Sequence, residues 1–131
     1  MLILVTTPIG NLGDMTPRGI DAMKGADVVL CEDTRVTRKL TTRFGIETRL
    51  FALHDHNEDR MIEGILKRLS EGQTIALVSD AGMPLISDPG YRLVRAAIEA
   101  GHPVTGVPGA NAALMALQLS GLPTDRFLFA G

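Results

Sequence analysis

Five short apolar runs, each followed by a helical pattern that stops at a glycine, restrict this chain more than any other feature of its sequence. The runs are Leu2–Val5, Val28–Cys31, Leu50–Leu53, Ile75–Ser79 and Val104–Val107, and each is short enough to read as a buried strand. The helical patterns between and after them close on Gly25, Gly45, Gly72, Gly101 and Gly121. Glycine is the residue that turns left-handed past a helix end without a steric cost. Starts are marked as well: Thr16-Pro17, Thr34, Asn57 and Asp88-Pro89 put a side-chain acceptor where the first helical N–H groups need one. Strand then helix, five times over, predicts an α/β fold, a five-stranded mostly parallel sheet with helices on both faces.

The fourth run leads into the longest irregular stretch. Val78-Ser79-Asp80-Ala81-Gly82-Met83-Pro84-Leu85-Ile86-Ser87-Asp88-Pro89-Gly90 holds two Asp, two Gly and two Pro before a helix resumes. A strand emptying into such a loop places backbone amides and carboxylates at the carboxyl edge of a sheet, where α/β folds bind ligands. Loops of this length inside a compact unit are usually functional.

At 131 residues the chain is one core-forming unit. No apolar run approaches a membrane span, and the Met-Leu-Ile-Leu-Val start lacks a basic leader. Cys31, the one cysteine, sits in an apolar run, which points to a buried thiol in a reduced, cytoplasmic setting. A net charge of -2 gives no global field for nucleic acid, so any such contact has to be local. After Gly121, residues 122–131 read as a linker and the opening strand of a further, truncated domain, which makes 1–121 the first domain of a longer protein.

Four other stretches carry candidate chemistry. Thr6–Asp14, after the first strand, holds Gly10 and Gly13 but is no dinucleotide or phosphate-loop fingerprint, and Pro8 removes a donor amide. Arg35, Arg38 and Lys39, with Arg43 a turn later, share one helical face close to a helix start, which suits phosphates. His54-Asp55-His56-Asn57-Glu58 has a spacing a metal could use but lacks the further ligands, and reads better as a polar rim with Asn57 capping the next helix. Val107-Pro108-Gly109-Ala110-Asn111 is small enough for close backbone approach or tight packing. Glu32, Asp33, Asp80, Asp88 and His56 are the titratable groups expected near the sheet edge.

Taken together, Thr7–Leu12, Glu32–Arg35 with Thr37–Leu40, Asp80–Gly82 with Ile86–Tyr91, Val107–Gly109 and Ser120–Phe127 resemble the ribosomal RNA small subunit methyltransferase I family, N-terminal domain. That family is a branch of the tetrapyrrole-methylase-like S-adenosylmethionine methyltransferases. The resemblance implies 2′-O-methylation of a cytidine ribose in 16S rRNA, a homodimer, and a cofactor cleft between two domains. It implies that S-adenosylmethionine is lined by Pro8, Ile9, Asp80, Ala81, Gly82, Met83, Asn111 and Ala112. The family usually has Thr at Met83, Gly at Leu85 and Ser at Asn111. Glu32 and Asp33 are the candidate proton acceptors, and Arg35, Arg38 and Lys39 would hold RNA phosphates. Two alternatives stay open: a methylase of a tetrapyrrole-like small molecule, and a non-catalytic binding fragment.

Overall fold

The computed structural model describes all 131 residues. Strands β1 (Leu2–Val5), β2 (Val28–Cys31), β3 (Leu50–Ala52), β4 (Ile75–Leu77) and β5 (Val104–Val107) alternate with helices α1 (Pro17–Gly25), α2 (Thr34–Phe44), α3 (Glu58–Ser70), α4 (Tyr91–Glu99) and α5 (Ala112–Leu119). The sheet order is β3-β2-β4-β1-β5 and every pairing is parallel. The third and fourth strands end a little earlier than their apolar runs, although Leu53 and Val78 still donate to the carbonyls of Cys31 and Leu30.

Side chains of period two send alternate residues to opposite faces. Val5, Val29, Cys31, Ala76 and Val78 join Met23 of α1 and Leu40 of α2 in one core. Leu2, Leu30, Leu53, Ile75 and Leu77 join Ile65 and Leu69 of α3 and Leu93 and Ala97 of α4 in the other. Cys31 is buried in the first core, as its apolar setting implied, and burial pushes its thiol upward.

Three helix starts differ from the sequence reading. The cap of α2 is Asp33, not Thr34: its Oδ1 accepts the Arg35 amide at 2.9 Å. Asn57 precedes α3 but makes no cap bond. Its Oδ1 accepts the His54 amide and its Nδ2 donates to Ala52 O, so it tightens the loop instead. The Asp88-Pro89 start of α4 is overturned, since Gly90 is the residue ahead of the helix, at φ 118. A Cβ there would lie 2.8 Å from Leu77, so only glycine fits. The Gly90 amide is bound at 2.6 Å by Oε1 of Glu58, a carboxylate arriving from α3.

Beyond α5 the expected strand within Arg126–Gly131 is absent; with no strand beside it, that segment has nothing to complete a ladder with. No helix is long and apolar enough to cross a membrane.

Candidate functional site

The site grows from two loops stitched together at the carboxyl edge. Thr7 and Gly82 exchange backbone hydrogen bonds of 3.0 and 3.1 Å, the one antiparallel bridge in the molecule. The Thr7 hydroxyl reaches Ser79 O at 3.3 Å, and the Ser79 hydroxyl is 3.2 Å from the carbonyls of both Ala81 and Gly82. Gly82 sits at φ 82, and a Cβ would press to 3.3 Å from Ile9, so glycine lets the two loops close. Farther along, Leu85 (φ 74) and Ser87 (φ 60) hold left-handed backbone without being glycine. Such conformations persist where surroundings over-determine them. Here Leu85 packs on the second core, and Glu58 clamps the far end of the loop.

Glu58 is 2% exposed. Besides the Gly90 amide it receives Arg92 Nε at 3.0 Å, and Arg92 reaches on to Asp59 at 2.7 Å and to Asp55 O at 3.1 Å. Glu58 is therefore committed to holding the loop, and is not the third member of a cluster with His54 and His56.

On one side of the Thr7–Gly82 bridge lies a cavity of about 190 Å³. Ile9, Ala81, Gly82, Met83, Asn111 and Ala112 line it, together with Ile86, Ser87, Asp88, Ala110, Ala113 and Phe129. Six residues expected at the cofactor thus come together from three separate loops. Asn111 spans the gap: its Oδ1 caps α5 on the Leu114 amide at 2.9 Å, and its Nδ2 lies 3.4 Å from Met83 Sδ. Met83 and Asn111 thus join the loops after β4 and β5 directly. The amides of Ala81, Met83 and Ala110 donate to no group of the chain.

Pro8 and Asp80, the other two cofactor candidates, line an adjoining cleft of about 220 Å³ on the other side of the bridge, against α2. Asp80 Oδ1 accepts the Asp33 amide at 3.1 Å, which ties the β2 and β4 loops together.

The two proton-acceptor candidates part company. Asp33 caps α2 and takes Arg35 through Nε at 3.1 Å and a second guanidinium nitrogen at 2.8 Å. Those bonds hold its carboxyl down at about 2. Glu32 is pushed the other way, above the usual carboxylate range, by burial first and then by Asp80, Asp88, Asp55 and Asp33. Asp88 is also raised, by burial and the Asp80 charge, against an opposing pull from Ser79. Asp88, expected near the sheet edge, lies on the cavity wall, a place its position before Pro89 does not announce. Phe129, far along the chain, carried no local signal at all.

Arg35, Arg38, Lys39 and Arg43 all lie exposed on α2. Arg35 is paired with Asp33, while none of the molecule's ion pairs uses Arg38, Lys39 or Arg43.

Known proteins resemble this chain over nearly its whole length. The chain is 55% identical over 130 residues to ribosomal RNA small subunit methyltransferase I of Escherichia coli O157:H7, covering 99% of this chain and 46% of that protein. It is 56% identical to the protein of the same name from Xylella fastidiosa, covering 99% and 48%. The chain therefore spans about half the length of the curated relatives it matches. Among solved structures, diphthine synthase superposes with a TM-score of 0.71 at 18% identity, over 93% of this chain and 49% of that one. Uroporphyrin III C-methyl transferase from Thermus thermophilus superposes with 0.67 at 23%, over 99% and 56%. At these identities the superpositions speak for the fold alone. The profile of the Tetrapyrrole (Corrin/Porphyrin) Methylases matches residues 1–129, a span that includes the sheet, both stitched loops and the cavity, and the chain belongs to that family.

Proposed function

We propose that this chain is the donor-binding half of an S-adenosylmethionine-dependent methyltransferase acting on small-subunit ribosomal RNA. The observation that carries the reading is the cavity beside the Thr7–Gly82 bridge, where three loops present small side chains, open amides and one carboxylate. Those residues fit the cofactor: Ala81, Gly82, Ala110 and Ala112 allow close approach, Ile9 and Met83 offer apolar contact, and the free amides suit its polar ends. At about 190 Å³ the cavity is smaller than the ~300–1,000 Å³ that encloses a ligand of that size. The remaining wall is assigned to the part of the relatives that this chain does not span, with 122–131 leading into it. The names of those relatives favour RNA over a tetrapyrrole as acceptor, and Arg38, Lys39 and Arg43, unpaired on one helix, suit phosphates. The finer assignments rest on the family resemblance: a cytidine 2′-hydroxyl of 16S rRNA, a cytoplasmic homodimer, and methylation only by the complete protein.

When bound against Ile9, Ala81, Gly82, Met83, Asn111 and Ala112, the cofactor would supply an electrophilic methyl on a sulfonium for an acceptor oxygen. The chain must then remove the hydroxyl proton. Glu32 is the proposed proton acceptor: it follows β2 at the carboxyl edge, next to Asp33, whose amide is bound by Asp80 of the β4 loop, and burial and neighbouring carboxylates raise its carboxyl. Asp33, tied to Arg35, is too acidic for that role. Asp80 and Asp88 keep the local field negative around Glu32, which favours its taking a proton.

The decisive measurement is isothermal titration of the complete gene product with S-adenosylmethionine, followed by mass mapping of ribose methylation on isolated small subunits. Parent protein is expected to bind and to methylate; Glu32→Gln is expected to bind normally and turn over at least about a hundredfold more slowly. A Glu32→Gln enzyme as fast as its parent would remove Glu32, and absence of donor binding would remove the whole reading.

A further inference from the structure

The cleft on the far side of the bridge has chemistry that cofactor binding does not use. About 220 Å³ in volume, it lies between the loop after β1 and the first turns of α2. Leu12 and Val36 face it from different elements while standing 40% and 37% exposed. Val36 sits among the cations of α2, where a surface that only gathered phosphates would gain nothing from an apolar side chain. Pro8 adds a rigid apolar patch, and Lys39 and Asp80 are the charged groups of the lining. Position matters as much as composition. Pro8 and Asp80 line the cleft while their chain neighbours Ile9 and Ala81 line the donor cavity, so the two spaces share the Thr7–Gly82 bridge as a common wall.

Building on the donor-site reading above, we infer that this cleft is the slot for the acceptor nucleotide: an unstacked residue of single-stranded or looped RNA, its base between Leu12 and Val36, its phosphate on Lys39 and its sugar at Asp80. RNA is read largely through unstacked nucleotides, and enzymes that modify them hold the base between aromatic or apolar side chains. The two charges orient the occupant. The Asp80 carboxylate, which already accepts the Asp33 amide, repels a phosphate but accepts from a sugar hydroxyl. Lys39 does the reverse. A nucleotide held this way has its sugar beside the wall shared with the donor.

The test uses the complete gene product and a short single-stranded RNA oligonucleotide, with affinity measured across a salt series. Leu12 and Val36 belong to neither core, so a Leu12→Ala, Val36→Ala double variant should shift its melting temperature little. It should bind the oligonucleotide roughly tenfold more weakly, the scale of one lost base contact. Its salt slope should match the parent's because no phosphate contact is lost, whereas Lys39→Ala should flatten the slope by about one ion. S-adenosylmethionine affinity should not move in either variant. Oligonucleotide affinity of the double variant within about twofold of the parent would overturn the slot. A slope flattened as in Lys39→Ala would do so too, because the lost contact would then be electrostatic. A parent that binds RNA in this pattern but takes no S-adenosylmethionine would leave the slot standing and remove the donor reading instead.

Discussion

β2 and β4 are buried along their whole length, whereas β5 and α5 together bury only Val107. Both regions obey the same grammar of apolar strand, turn and helix. They differ in what covers them. The centre of the sheet has α1 and α2 on one face and α3 and α4 on the other. α5 reads Ala-Ala-Leu-Met-Ala-Leu-Gln-Leu, apolar almost all round, yet Leu114, Met115 and Leu119 are 47%, 49% and 77% exposed. Helices of that composition are ordinarily buried. The cavity sits on the boundary between these regions: its β4-loop residues come from the covered side and Asn111–Ala113 from the uncovered one. On the proposed reading, the covered half would position the donor, and the open half would take the further wall that the donor needs.

The sharpest way to break this contrast is to truncate one leucine in each region. Leu93 on α4 is fully buried in the second core. Leu93→Ala should cost about 2–5 kcal/mol, from lost transfer energy and the cavity left behind. Leu119→Ala on α5 should change the stability of this chain by no more than about 0.5 kcal/mol. Urea melts of the two variants with equal midpoints would show that the C-terminal helix belongs to the core after all.

A smaller effect is expected where the covered half grips the site loop. Glu58→Ala leaves the buried Gly90 amide and Arg92 without their acceptor. Arg92 is 43% exposed and can turn to water or keep Asp59, so the loss is set at about 2–3 kcal/mol rather than the larger cost of a fully buried pair. Glu58→Gln, which still offers the amide an acceptor, should lose about half of that. Hydrogen exchange should localise the change to residues 83–90. Uniform deprotection, or none, would show that Glu58 is not what holds the loop.

This grip explains where the sequence was readable and where it was not. Strand and helix positions follow from periodicity and from caps adjacent in the chain, and Thr16 does what its position implies, accepting the Gly19 amide at 3.0 Å. The start of α4 was not readable, because its amide partner is Glu58, 32 residues earlier. A local rule favours Asp88-Pro89, and a tertiary carboxylate overrides it. The same reasoning covers the site. Ile9, Ala81–Met83 and Asn111–Ala112 meet because glycine turns at parallel strand ends must converge on one edge. The division of Pro8 and Asp80 into a second cleft depends on the Thr7–Gly82 bridge, which pairs residues 75 positions apart and leaves no pattern in the chain.

The smallest predicted effect contrasts two neighbours, Glu32 and Asp33, whose carboxyls are displaced in opposite directions. Asp33 is held at about 2 by Arg35, below its unfolded value of ~3.9. Its charged form therefore favours folding above that unfolded value, and the contribution disappears as pH falls through the folded one. Glu32 is raised by burial and surrounding carboxylates, so its charged form opposes folding above its folded value. That penalty is relieved as pH drops toward the unfolded ~4.3. Asp33→Asn should therefore be less stable than the parent at neutral pH, with the difference closing between pH ~4 and ~2. Glu32→Gln should be more stable at neutral pH, with its advantage shrinking as pH falls toward ~4. Both changes are modest because both side chains reach water, and high salt should shrink the part of the Glu32 effect that comes from its acidic neighbours. Denaturant midpoints followed from pH 8 to 2 read out the two signs directly. A Glu32→Gln protein less stable than its parent at neutral pH would mean that the carboxylate is satisfied where it stands, and the case for it as the proton acceptor would lose its physical basis.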